Sequence, residues 1–136
     1  MSIKVYINLP VADLKRSRDF FARLGFTFND QFSDDTALGM TISDDNYAML
    51  LTHEKFASFT PKKNADAKAT SEVLVALQLA SRADVDRMSG TALAHGGGFV
   101  RETQDHGFMY GAAFADPDGH IWEPFWIDPT QMPTKE

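Results

Sequence analysis

Proton transfer or metal ligation in this chain has to come from groups other than thiols, because it contains no cysteine, and its imidazoles and carboxylates are the first to weigh. That removes thiolate ligands, thiol nucleophiles and disulfide frameworks together, and fits a reducing compartment. Glu123, in the run Ile-Trp-Glu-Pro-Phe-Trp, stands among large apolar neighbours. A carboxyl group in a partly apolar hollow can trade a proton near neutrality, which suits a general acid–base. The competing reading is a carboxylate held by the Tyr6 hydroxyl or the Asn8 amide with no turnover, preferred while no second catalytic group stands beside it. His106, in Gln-Asp-His-Gly ahead of Phe108 and Tyr110, is the second candidate. A loop histidine next to an aspartate at a cavity mouth can be a base or a substrate contact, although most lone loop histidines are neither.

The other histidines have plainer explanations. His95 falls in the last turn of an expected helix, where the macrodipole favours a cation. His120 is expected to face solvent after a turn, and His53 leaves a strand beside Glu54. Asp116-x-Asp118-Gly119 is a hairpin turn and not a calcium loop, since its glycine comes too early and Ile127 stands where the loop's terminal glutamate belongs. Gly96-Gly97-Gly98 follows a helix, so it caps a C-terminus and does not cradle phosphate.

The elements that must position these groups repeat. Residues 3–9 alternate like a strand stopped by Pro10. Asp13 can cap a helix carrying Leu14, Ser17, Phe20, Phe21 and Leu24 before Gly25. Strands over 26–32, 36–43 and 47–52 complete a βαβββ module, and 55–59 can form a short helix. The order recurs: a strand over 72–79, a helix capped by Ser81 with Asp84 and carrying Val85, Met88, Ala92 and Leu93, then strands over 99–102, 108–115 and 120–127. Internal spacing pairs Tyr6 with Leu74, Asn8 with Ala76, Gly39 with Gly111 and Leu50 with Glu123. The expected organisation is one α+β domain over 1–136: module one 1–60, a linker 61–71, module two 72–128 and a tail 129–136.

A length of 136 residues suits one domain, and 43% apolar content with 11 Phe supplies its core. A net charge of −6 repels phosphate backbones and anionic lipid, so neither nucleic acid nor a membrane is an expected partner. The opening MSIKVYINLP lacks a cationic segment followed by a long apolar one, and the expected location is cytoplasmic.

The stretch V-x-D-L-x-R-S-x-x-F-F-x-x-L-G-F from Val11 to Phe26, and D-P-D-G-x-x-x-E from Asp116 to Glu123, stand at opposite ends of the duplicated module. Together they make the chain resemble the glyoxalase/bleomycin-resistance/extradiol-dioxygenase superfamily, the vicinal-oxygen-chelate proteins, over nearly its whole length. The resemblance implies two tandem βαβββ modules forming curved mixed sheets, a small-molecule cavity and a homodimer. Metal-using members draw a ligand from the first and last strand of each module, and those positions here are Tyr6, Leu50, Leu74 and Glu123. Leucine cannot coordinate, and a phenol is a poor ligand unless a strong Lewis acid is already held, so Glu123 alone fits.

Strand alternation then sets Tyr6, Asn8, Leu50, Thr52, Leu74, Gln78, Glu123 and Phe125 on a cavity face, with Tyr110 added to the lining. The opposite face, including Met49, Leu51, Trp122 and Trp126, should carry the helices. The reading is a protein that binds a small organic molecule without the family's complete metal site, with no cofactor expected. The alternatives are a metal-dependent glyoxalase-like lyase, isomerase or dioxygenase, with a divalent metal held by Glu123 and His53, His106 or a residue of a partner chain, and a drug-sequestering protein.

Overall fold

The computed structural model describes residues 3–131; the remainder of the expected tail, 132–136, lies outside them. The chain divides into two compact units, residues 1–70 and 71–136.

In the first unit, β1 (Val5–Val11) leads into α1 (Leu14–Arg23), then β2 (Thr27–Asn29), a single 3-10 turn (Asp30–Phe32), β3 (Ala37–Thr41), β4 (Asn46–Thr52) and the short α2 (His53–Ala57). The sheet order is β1-β4-β3-β2, with β1 parallel to β4 and the other neighbours antiparallel. Asp13 caps α1 by accepting from the Arg16 amide at 3.1 Å, and Gly25 adopts φ +102°, closed to most L side chains. One face of the sheet meets α1: Ile7 and Leu9 pair with Ala48 and Leu50, and Phe20 and Phe21 of α1 are buried. Losing Phe21 would cost about 3–5 kcal/mol.

The second unit contains β5 (Leu74–Gln78), α3 (Arg82–Ala94), β6 (Gly98–Phe99), β7 (Gln104–Asp105), β8 (Met109–Gly111), β9 (Phe114–Ala115) and β10 (Ile121–Ile127). β10 is central, with β5 parallel on one side and β8 and β9 antiparallel on the other. Ser81 caps α3 through the Asp84 amide at 3.1 Å, and Gly96 at φ +104° follows the helix. Leu93, expected on the buried face of α3, is exposed, whereas Val85 and Ala92 are buried. Both units are α+β, as the sequence implies.

Two prolines part from expectation for one reason. β1 runs through Pro10 instead of ending before it. Val5 donates to Asp45 O at 2.8 Å, so the odd-numbered amides of β1 point at β4 and the missing donor of Pro10 points to the outer edge, where it costs no ladder bond. Pro124 instead lies inside a central strand. Ala112 donates to Pro124 O at 3.0 Å but can receive nothing back, and there the expected single strand over 108–115 is interrupted into β8 and β9. Phe125 faces Gly111 and Ile121 faces Ala115, so one register runs through the gap and sets Ala113 across from Glu123.

The registers also correct the internal pairing. Ile7 faces Ala48 as Val75 faces Trp122, and Leu9 faces Leu50 as Leu77 faces Pro124. Tyr6 therefore matches Leu74, as expected, but Leu50 matches Pro124, and the partner of Glu123 in the first unit is Met49. Gly39, paired with Met49, matches Ala113 and not Gly111.

Candidate functional site

A one-residue slip exchanges the faces of a strand, and it moves part of the expected cavity lining. Leu50 pairs with Leu9 and Leu38, is fully buried and lies on the α1 face. Thr52 follows on that face and caps α2 by accepting from the Lys55 amide at 3.2 Å. Met49 and Leu51, expected against the helices, share the open face with Tyr6 and Asn8. In the second unit Tyr110 pairs with Trp126 on the helix side, where its hydroxyl donates to Asp86 of α3 at 2.5 Å. Leu50, Thr52 and Tyr110 are thus removed from the open faces. Tyr6 and Asn8 stay on the first, and Leu74, Gln78, Glu123 and Phe125 on the second.

On the open face of the second unit, Glu123 is flanked by small side chains, Ala76 on β5 and Ala113 across the gap between β8 and β9. Its carboxylate is not solitary: Arg101 Nη2 donates to Glu123 Oε2 at 2.9 Å, with the two side chains 35% and 22% exposed. Screening at that exposure limits the pair's contribution to stability to about 1 kcal/mol. The partner looked for in Tyr6 or Asn8 is therefore Arg101. The chain bends at Arg101 after the two-residue β6, where a strand over 99–102 is expected, and the bend releases the side chain toward β10. No sequence signal ties residues 22 apart across a bend.

The equivalent segment of the first unit, between β2 and β3, fills its open face differently. A Cβ on Gly39 would lie 2.9 Å from Phe32 Cβ, so the backbone needs glycine there for close approach. Ser33 Oγ accepts from the Gly39 amide at 3.0 Å and donates to Asn29 O at 2.8 Å, which fixes the 3-10 turn over the sheet. Phe32 thus covers Gly39, the neighbour of Met49. Tyr6 stacks on Tyr47 with centroids 4.7 Å apart, and remains 44% exposed.

The histidines are not drawn to Glu123. His106 is exposed, and its amide donates to Met109 O at 2.8 Å, opposite Ile127 and four residues along β10 from Glu123, roughly 13 Å of strand. His53 is exposed at the start of α2, its carbonyl accepting from Asn64 Nδ2 at 3.0 Å, which ties the expected linker to the first unit. His120 is half-buried instead of solvent-facing and lies beside Asp116.

Asp116 is a buried structural carboxylate. It accepts from Trp122 Nε1 at 3.1 Å and from the amides of Asp118 and His120 at 3.0 Å each. Burial pushes its carboxyl above the ordinary range, while His120 and these bonds pull against it. The D-P-D-G turn, with Gly119 at φ +96°, thereby anchors the fully buried Trp122. On the helix side, Arg82 grips Asp105 through two bonds of 2.8 and 3.0 Å and lies over the Tyr110 and Trp126 rings. The guanidinium and the Gly107 amide hold the Asp105 carboxyl down to about 2.

The family's divalent ion does not fit these residues. The first unit offers a phenol and a thioether, Tyr6 and Met49; the second offers an isobutyl group, Leu74, and a carboxylate already bound to a guanidinium. A hard or borderline cation needs several oxygen or imidazole donors converging. Among the described residues no three His, Asp or Glu side chains form such a group.

The family model of the Glyoxalase/Bleomycin resistance protein/Dioxygenase superfamily matches residues 5–123, and the chain belongs to that superfamily. Among solved structures it is similar to a hypothetical protein from S. aureus, SA1046, at 26% identity and TM-score 0.78, covering 93% of this chain and 94% of that one. It shares its fold with a glyoxalase/bleomycin resistance protein/dioxygenase family enzyme from Burkholderia phytofirmans PsJN (16% identity, TM-score 0.75, 93% and 99% covered). The same holds for a glyoxalase-related enzyme from Fulvimarina pelagi (18%, 0.77, 93% and 88%). A search of curated proteins returned no match. No helix among the described residues is long and apolar enough to cross a membrane.

Proposed function

We propose that this superfamily member binds a small organic molecule on the open sheet face around Glu123, without the divalent ion that metal-using relatives hold. The supporting observation is the 2.9 Å pair between Arg101 and Glu123, which sets a fixed cation against the one carboxylate at a family ligand position. The pair is flanked by Ala76 and Ala113, with Leu74, Ile121 and Phe125 on the same face, the mixture of apolar wall and few polar groups found in ligand sites. Binding without turnover is the favoured mode, because proton transfer from Glu123 would need a second group and His106 lies along the strand, exposed. A homodimer completes the reading, on the family resemblance.

Elemental analysis after equilibration with nickel, zinc, iron and manganese followed by dialysis tests it. The expected content is far below one ion per chain. A stoichiometric ion that Glu123→Gln removes would overturn the proposal in favour of a metal-dependent lyase, isomerase or dioxygenase.

A further inference from the structure

We infer that Arg101 is an anchor for the carboxylate of the bound molecule, and that the ligand is a small organic acid with an apolar body and a hydroxyl or amine donor next to its carboxylate. The inference rests on the metal-free binding reading and adds the ligand's chemical class. A guanidinium carries five N–H donors in a planar fork. Among the described residues Arg101 spends only one Nη2 hydrogen, on Glu123 Oε2, which leaves Nε–H and the second Nη2 hydrogen as a side-on fork for a ligand. Glu123 Oε1 has no partner among them either and can accept one hydrogen bond.

Glu123 does two things in this arrangement. Its charge holds the guanidinium in one orientation over the sheet, so the fork is ordered before a ligand arrives, and its second oxygen offers an acceptor beside the fork. A carboxylate on Nε–H and the second Nη2 hydrogen, with a neighbouring hydroxyl or amine on Oε1, satisfies both. The local charge selects further. One guanidinium paired with one carboxylate sums to zero, so a phosphate dianion would meet Glu123 with no surplus positive charge, whereas a monoanion that also donates a hydrogen bond meets complementary groups. The methyl groups of Ala76 and Ala113 leave room beside the pair, and Leu74 and Phe125 share the face for the apolar portion.

The test is calorimetric titration of the full chain with 3-phenyllactate, its methyl ester and phenyl phosphate, repeated on Arg101→Gln and Arg101→Lys with circular dichroism to establish folding. The expected result is binding of 3-phenyllactate by the native chain, loss of at least about tenfold in affinity for the ester and for both variants, and weaker binding of phenyl phosphate. Because Arg101→Lys keeps the charge and loses the fork, its loss separates two-donor recognition from simple attraction. The chemical shift of Arg101 Nε–H, followed by NMR during the titration, gives a readout in the native chain should a variant fail to fold. Equal binding of acid and ester, affinity unchanged in folded Arg101→Gln, or failure of 3-phenyllactate to bind or to move that resonance would overturn the anchor. Arg101-independent binding of the ester alone would do so while leaving metal-free binding intact, and a stoichiometric metal would remove the underlying reading instead.

Discussion

The segment after the second strand does different work in the two units. In the first, residues 30–33 form a 3-10 turn that lays Phe32 over Gly39, beside Met49, and closes that part of the open face with apolar side chains. In the second, the chain bends after β6 and sends Arg101 to Glu123, leaving polar donors and an acceptor over a sheet that carries Ala113 where the first unit has Gly39. The scaffold is shared: an edge strand parallel to the last strand, a capped helix on the opposite face, and matching registers. The units part at the short connection, where no ladder bond dictates the backbone and a strand one residue shorter is followed by a bend that redirects a side chain.

A second contrast lies one residue further along the last strand. Leu50 keeps its amide and β3 is continuous; Pro124 has none and its partner is divided into β8 and β9. Moving the proline to the first unit should have the largest effect on this contrast. Leu50→Pro removes a fully buried leucine and a central ladder bond, and should cost about 3–5 kcal/mol, read as the shift in urea midpoint; a shift under about 1 kcal/mol would deny that the amide matters. The Gly39/Ala113 contrast comes next. Gly39→Ala sets a methyl group 2.9 Å from Phe32 Cβ and should destabilise by about 1–3 kcal/mol in thermal unfolding, while Ala113→Gly should cost less than about 1 kcal/mol. Equal costs would mean that Phe32 does not plug the face.

A smaller effect concerns Asp105, whose partner Arg82 exists in the second unit alone. Because folding lowers this carboxyl from near 3.8 to about 2, its contribution is present above the higher value and is lost as pH falls through the lower one. Asp105→Asn should therefore be slightly less stable than the native chain at neutral pH, with the gap closing toward pH 2; a gap that widens on acidification would refute the assignment. The smallest effect is local: Pro124→Val should add one slowly exchanging amide, at residue 124, as its new N–H meets the carbonyl of Ala112.

Much of the scaffold was legible. Asp13, Gly25, Ser81 and Gly96 mark helix ends through chemistry local to a few residues, and alternation in 72–79 gives a strand whichever way it faces. Alternation says which residues share a face of one strand but not which strands agree, and only the register that sets Ile7 opposite Ala48 puts Leu50 and Thr52 on the helix side. Pro10 read as a stop because its missing donor matters only if it points inward. Glu123 stood out by type and place, whereas Arg101 lay inside an expected strand, and its role depends on a bend and a partner remote in sequence.

The central claim is that Arg101 occupies the carboxylate that a metal-using relative would give to its ion. It is tested most directly by titrating manganese(II) into the protein and following the methyl resonances of Ala76 and Ala113, which flank Glu123. The account predicts no selective broadening at one equivalent. Broadening of both methyl resonances at substoichiometric manganese, abolished by Glu123→Gln, would contradict it.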